Sequence, residues 1–434
     1  MIPACYPSII YHWFVSLRTG KENRISVVNP FPVHGLRKSF SILYMSKLNM
    51  EKLFITVCSL IIVAWTQAQE VTVFRSGGEG YASYRIPAIV KNKTGELIAF
   101  AEGRVDHAGD YGNVDIVYKT SKDGGKSWSA LQIAVDYEKL QAGNAAPVVD
   151  LLDPAYPKGR IFLFYNTGNN HEAEVRKGNG LRETWYITST DGAETWSAPV
   201  NITAQVHRPK QPQVNSAYNF EEDWRAYANT PGHALQFDSG KYKGRLYIPA
   251  NHSAGDPKSA GKDYFAHAYY SDDHGKTFKI ADKITFEGGN ETMAAQISDT
   301  ELYMNSRNQQ GNIRNRIISY SSDGGMTWDT TFYDLNLPDP VNQGATLSWK
   351  KGKKYILAVS NAADERKRDN LTLRVSKDKG ASWYFNYVVA KAPEDYEGSY
   401  SAYSDIVWIR KNQIGVLYEK NNYKEIVFVP VKIK

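Results

Sequence analysis

Ser121-Lys122-Asp123-Gly124-Gly125-Lys126-Ser127-Trp128 is the first of five copies of one pattern, Ser-x-Asp-x-Gly-x-Ser/Thr-aromatic. The pattern returns at Ser189–Trp196, Ser271–Phe278, Ser321–Trp328 and Ser376–Trp383, at intervals of 50 to 82 residues, with Ala193 in place of the glycine in the second copy. The composition of the pattern is that of a turn: Asp accepts hydrogen bonds from nearby backbone amides, Gly permits positive φ, and the closing aromatic packs under the turn. Each copy follows a short run rich in β-branched and aromatic residues, at Val114–Thr120, Trp185–Thr188, His267–Tyr270, Ile317–Tyr320 and Leu371–Val375. A hairpin repeated at this spacing, with no helical periodicity between copies, predicts an all-β β-propeller of four-stranded antiparallel blades. Strands at Ile406–Ile409, Ile414–Tyr418 and Ile426–Val431 carry no such turn, and are expected to close the ring with Val71–Phe74. Five blades with the turn and one without predict a six-bladed propeller. The turns themselves read as structural staples facing away from any active site.

Outward from the repeats, the two ends differ. Met50 opens a secretory signal: Lys52, an apolar run from Leu53 to Trp65, then Thr66-Gln67-Ala68 as a small-residue cleavage site. That run is well short of the roughly 20 residues that span a bilayer, so no stable membrane insertion is expected. Residues 1–49 read as an upstream extension, 50–68 as the signal and 69–434 as the catalytic propeller, exported to a periplasm or secreted. The first 68 residues hold seven of the 52 Lys/Arg and only two of the 46 Asp/Glu, so the formal +6 belongs mostly to the leader and nucleic acid is excluded as a partner. Both cysteines, Cys5 and Cys58, also fall there, which leaves residues 69–434 without a thiol. HExxH, cysteine zinc spacing and a Gly-rich phosphate loop are all missing, so no metal or organic cofactor is expected.

The repeated turns together with Tyr84-Arg85-Ile86-Pro87 resemble the bacterial and animal exo-sialidase (neuraminidase) family, with its Arg-Ile-Pro motif and Asp boxes, across essentially all of residues 70–434. Thr230–Gln236 and Gly244–Ala250 resemble that family's middle blades. The resemblance implies a glycosidase acting on sialylated glycans, in which three arginines grip the carboxylate carried on the anomeric carbon. Arg85, Arg307 and Arg368 match those positions, although Arg366 and Arg374 crowd the third. Guanidinium suits the task because it is planar, permanently charged and bidentate toward carboxylate. The resemblance also implies a tyrosine nucleophile, which avoids setting a second carboxylate against the substrate's own. Tyr403 matches it, with Tyr400 as the alternative, and Glu291 matches the glutamate that activates it. Asp110 matches the acid/base residue, with Asp106 competing and Asp115 read as a strand residue. Arg104 matches a further substrate arginine, and Asp150 a residue lining the sugar pocket. Two other readings share these residues in part: a trans- or intramolecular trans-sialidase, and a non-catalytic propeller that only holds sialylated glycans.

Overall fold

The computed structural model describes residues 70–433; the leader segments 1–49 and 50–68, with Cys5 and Cys58, lie outside the described residues. After β1 (Val71–Arg75), the first antiparallel meander comprises β2 (Ser83–Lys91), β3 (Leu97–Arg104), β4 (Val114–Ser121) and β5 (Gln132–Val135). The second has β6 (Gln141–Asp150), β7 (Arg160–Gly168), a short helix α1 (Glu172–Arg176), β8 (Arg182–Ser189) and β9 (Val200–Asn201), and is followed by α2 (Thr203–Val206). The third has β10 (Trp224–Asn229), β11 (Leu235–Gln236), β12 (Leu246–Ala254), β13 (Tyr264–Ser271) and β14 (Lys279–Ile280). The fourth has β15 (Gly289–Gln296), β16 (Leu302–Asn308), β17 (Asn315–Ser321) and β18 (Thr330–Pro338). The fifth has β19 (Ala345–Lys351), β20 (Lys354–Ala362), β21 (Leu371–Ser376) and β22 (Phe385–Ala390). The last is β23 (Ser401–Arg410), β24 (Gln413–Lys420) and β25 (Glu425–Lys432), and β1 pairs with β25 to complete it.

The propeller class agrees with the sequence pattern, but the blade count needs correction. Four blades stand as separate sheets, not six, and the first two meanders are joined in one eight-stranded sheet. The join is a single parallel pair, Val114 with Gln141, where the Val114 amide donates to the Leu140 carbonyl at 3.2 Å. Inner strands are buried along most of their length and pack side by side, β2 against both β6 and β23, and β19 against both β15 and β23. Outer strands such as β5, β9 and β22 are largely exposed, as expected of blades with one edge in water.

The five turns sit between the last two strands of the first five meanders and have one hydrogen-bond pattern. In the first, Ser121 Oγ accepts from the Gly125 amide at 2.8 Å, and Asp123 accepts from the Lys126 and Ser127 amides and from Ser127 Oγ. The closing aromatic does more than pack under its own turn: it reaches the preceding blade. Trp128 meets Phe428 edge-on at 5.5 Å, Trp196 meets Tyr118 at 5.9 Å, and Phe278 meets Phe164 at 5.6 Å. The turns therefore staple neighbouring blades together, which is why glycine recurs in them. Gly125 has φ +90°, and a Cβ there would lie 2.0 Å from the Phe428 ring. Gly125→Ala is expected to cost about 2–5 kcal/mol, combining left-handed strain with overpacking. Urea unfolding checks this; a loss under 1 kcal/mol would contradict the staple.

A second packing feature gives a pH dependence. His207, His252 and His267 are wholly buried beside Trp224, whose ring stacks on His252 at 3.6 Å. His252 and His267 share a hydrogen bond between their Nδ1 atoms at 3.1 Å, and among the described residues His207 has no partner for either nitrogen. Burial, reinforced by one another and by Arg208 and Lys283, pushes all three pKa values down, that of His267 to about 3. Their neutral forms are thus favoured in the fold, so stability is full above the ordinary histidine value near 6.5 and falls as pH drops from there toward 3. Urea midpoints measured between pH 7.5 and 4 should decline in the wild type, and less steeply in His267→Gln.

Candidate active site

The inner strands bulge where they reach one end of the propeller. Register shifts occur between Arg85 and Ala88 in β2, Gly143 and Ala146 in β6, Gly289 and Thr292 in β15, and Ser401 and Ser404 in β23. An extra residue breaks the ladder and re-aims its neighbours. In β2 the bulge is the Arg-Ile-Pro motif itself. Ile86 has φ +58°, its amide donates to Glu419 Oε1 at 2.8 Å rather than to a strand, and Pro87 has no amide to offer. Arg85 is thereby turned toward the axis. Glu291 and Tyr403 lie in the corresponding bulges of β15 and β23.

These side chains converge on a cavity of about 350 Å³, lined by Arg85, Arg104, Asp110, Glu291, Arg307, Arg368 and Tyr403 among others. Tyr403 Oη lies 2.7 and 2.8 Å from the two carboxylate oxygens of Glu291, and accepts from Arg307 Nη1 at 2.8 Å. The same Arg307 nitrogen donates to Glu291 Oε2 at 2.7 Å. Burial, then Glu291, push the Tyr403 phenol well above its ordinary value, while Arg307, Arg368 and Arg85 pull the other way. The resting phenol is therefore neutral, with a carboxylate in place to take its proton. The guanidiniums of Arg85 and Arg368 lie 5.6 and 5.4 Å from the Tyr403 ring centroid.

Asp110 stands on the loop after β3, its side chain 75% exposed, and accepts from Arg104 Nη1 at 2.8 Å, with Arg85 Nη1 at 3.9 Å. Desolvation acts to raise its pKa, but Arg104 and Arg85 outweigh it and hold the carboxyl below the usual range. Arg104 is fixed from behind by Glu102, which also accepts from the Asn144 amide.

The competing residues lie elsewhere. Asp106 is exposed and off the cavity; Asp115 accepts from Tyr81 Oη at 2.6 Å within the core; Tyr400 packs on Tyr396. Arg366 is exposed, and Arg374 is bound to Asn361. Asp150 is a correction. It ends β6 while Gln141 begins that strand at the cavity, and nine steps at about 3.3 Å put the two roughly 30 Å apart. There Asp150 accepts from Gln236 Nε2 at 2.6 Å, from the Leu152 and Asp153 amides, and lies 2.8 Å from His274 Nδ1. Asp150, Asp153 and His274 have metal-ligand types within 4.8 Å of one another, but these bonds, with Arg160 on Asp153, already occupy the oxygens.

Sequence reading missed two supports. Glu419, wholly buried on β24, binds Arg85 Nε at 2.7 Å and accepts from the Ile86 and Tyr403 amides. Its only signal was an acid at the end of an otherwise apolar strand. Tyr423 lies under Arg85, 4.0 Å from ring centroid to guanidinium, and its hydroxyl accepts from Arg368 Nη1 at 3.0 Å. It follows Asn421 and Asn422 in a turn where all three residues have positive φ, strain of the sort held at functional sites.

Comparison with known proteins bears on the family and the fold. Residues 95–412 match the model of the BNR repeat-like domain. A sialidase of Micromonospora viridifaciens is 28% identical over 365 residues, which are 79% of this chain and 51% of that protein. An exo-alpha-sialidase of Arthroderma benhamiae is 27% identical over 372 residues, 81% of each chain. The chain thus spans about half the length of the first relative and four-fifths of the second. Among solved structures, the Hadza microbial sialidase Hz136 superposes with a TM-score of 0.69 at 22% identity, covering 84% of this chain and 68% of that one, a likeness of fold. With the repeated turns, the Arg-Ile-Pro bulge and the propeller now joined to these matches, the chain belongs to the BNR repeat-like domain family, and the two curated relatives above bear the names sialidase and exo-alpha-sialidase.

Proposed function

We propose that this protein is an exo-acting, retaining sialidase that removes terminal sialic acid from glycoproteins, glycolipids and oligosaccharides through a covalent bond to Tyr403. The observation that carries the reading is the Tyr403 hydroxyl held between both oxygens of Glu291 and Nη1 of Arg307, on the wall of a cavity that three arginines share. Arg85, Arg307 and Arg368 grip the sugar's carboxylate. Glu291 takes the phenolic proton as Tyr403 Oη attacks the anomeric carbon, and Asp110 protonates the departing oxygen. Asp110 then deprotonates the water that breaks the tyrosyl bond, so the configuration is inverted twice and retained. Arg104 lines the cavity and orients Asp110 at its mouth. Arg104 and Arg85 keep Asp110 ionised. An arriving carboxylate neutralises part of that positive field and lets the acid hold its proton.

Export by the segment 50–68 belongs to the same reading, and no described helix is long and apolar enough to cross a membrane. Incubation with a sialoside, followed by NMR and mass spectrometry, tests the whole: free sialic acid released first as the α-anomer is expected. An anhydro-sugar, a transfer product or no turnover would refute hydrolysis. Asp110→Asn adds a sharper check. It should slow a sialyl-galactoside on the order of 10²–10⁴-fold, but slow a sialoside with an aryl leaving group that needs no proton far less. Equal losses on both would remove Asp110 from the acid role.

A further inference from the structure

The inner strands lead away from the cavity. Tyr403 stands near the start of β23 and Arg410 at its end, and at about 3.3 Å a residue the two lie roughly 23 Å apart. Strands β2 and β19 run the same way, from Arg85 to Lys91 and from Ala345 to Lys351. All three then turn back, and their hairpins meet at the far end. Trp349 and Trp408, near the ends of β19 and β23, stack at 4.6 Å, and Lys91 Nζ reaches from β2 to the Ile409 carbonyl at 3.0 Å. The first, fifth and last meanders thus present their far turns side by side, on the face opposite the cavity.

Residues 69–434 are nearly neutral as a whole, with 45 Lys/Arg against 44 Asp/Glu, but this face is not. The far turns of these three meanders are 91–96, 121–128, 350–354, 376–383 and 410–413, with Lys432 beside Gln413. Together they hold 13 Lys/Arg against three Asp/Glu. The equivalent turns of the second and fourth meanders, 150–160, 189–196, 297–301 and 321–328, hold two against seven, and those of the third are near balance. Some of the lysines are neutralised: Lys122 by Glu96 at 3.4 Å, Lys350 by Asp299 at 3.6 Å, and Lys379 by Glu301. Lys351, Lys353, Lys354, Arg410, Lys411 and Lys432 are exposed, and among the described residues none of them has a carboxylate within 4.0 Å.

We propose that this face docks on a bilayer rich in anionic phospholipids, holding the protein by charge with its cavity turned outward. Like charges gathered on one side repel one another, and an anionic surface relieves that repulsion. Five of the six free cations are lysines, point charges on flexible stems, which suit a diffuse sheet of headgroups. A polyanionic chain held in register calls instead for the fixed fork of arginine. The cations stand on or beside the tips of neighbouring hairpins, so a planar partner reaches them together. The hairpins of β2, β19 and β23 carry no exposed large apolar side chain, and Trp349 and Trp408 are half-buried against each other. Docking is therefore adsorption without insertion, and its strength falls off within a Debye length. It needs nothing of the chemistry at Tyr403.

Vesicle co-sedimentation tests the docking face, with the full chain in every arm so that residues 1–68 are common to all. The vesicles are phosphatidylcholine alone, or phosphatidylcholine with about one-third phosphatidylglycerol. One variant combines Lys351→Gln, Lys353→Gln, Lys354→Gln and Lys411→Gln. A control combines Lys139→Gln, Lys210→Gln, Lys262→Gln and Lys391→Gln, four exposed lysines off this face with the same loss of net charge. Each lysine near an anionic surface contributes about fivefold to partitioning. The face variant is therefore expected to bind the anionic vesicles at least about 30-fold more weakly than wild type, and the control within about threefold of it. Wild-type binding should weaken as salt is raised, and on neutral vesicles the three proteins should not differ. The face variant should also keep the wild-type melting temperature and kcat/KM on a soluble sialoside, so failure of the docking face and failure of the sialidase reading are read separately. A face variant that binds the anionic vesicles as well as wild type, or loses no more than the control, overturns the docking face. Retention on dextran sulfate that the face variant loses, with no difference on vesicles, overturns it in favour of a polyanionic polymer.

Discussion

Tyr403→Phe is expected to lower turnover of a sialoside on the order of 10³-fold or more while leaving fold and sialic acid binding nearly unchanged. The change deletes one oxygen, the atom that lies against Glu291 and Arg307. Deleting it orphans no charge, because Arg307 and Glu291 remain paired at 2.7 Å. The ring that packs with Ile86 and Ala402 is retained as well. What is lost, in the proposed mechanism, is the nucleophile, along with the proton that Glu291 would remove. Single-turnover kinetics, calorimetric binding of sialic acid and a thermal melt check the three parts separately. Turnover within tenfold of wild type would mean that another group makes the bond. A 2,3-difluorinated sialic acid, whose covalent adduct breaks down slowly, should label Tyr403 in the wild type and nothing in the variant.

Arg85 and Arg368 are expected to separate grip from stability. Arg85→Met leaves Glu419 wholly buried with its counter-charge gone, at a cost of about 3–5 kcal/mol. Turnover should fall too, since the Ile86 and Tyr403 amides depend on the same carboxylate. Among the described residues the Arg368 guanidinium is bound only to the Tyr423 hydroxyl and, at 3.4 Å, to the Val341 carbonyl. Arg368→Met should therefore change stability by no more than about 1 kcal/mol, yet lower kcat/KM about 10- to 100-fold by removing a charged hydrogen bond to substrate. Paired urea titrations and steady-state kinetics check the contrast. Equal destabilisation by the two substitutions would mean that Arg368 is structural.

The repeated turns could be read directly from the chain because their hydrogen bonds close within eight residues: Ser121 and Asp123 reach only as far as Ser127. Alternating strands on either side then leave few arrangements besides a ring of meanders, and Arg85, Arg307, Arg368, Glu291, Tyr403 and Asp110 were nameable because each lies in a short recognisable motif. The tertiary structure alone decided which ends of the strands meet. Alternation tells which face a side chain takes but not which end of the strand is at the site, so Asp150 could be assigned to a cavity whose nearest residue on the same strand, Asn144, is six steps or about 20 Å away. Glu419 and Tyr423 carry no motif; they act through partners up to hundreds of residues away. The bulges at Ile86 and beside Glu291 and Tyr403 shift the alternation locally, and the sequence pattern does not show that shift. The join between the first two meanders rests on one backbone pair, Val114 with Gln141, and backbone hydrogen bonds leave no trace in side-chain identity.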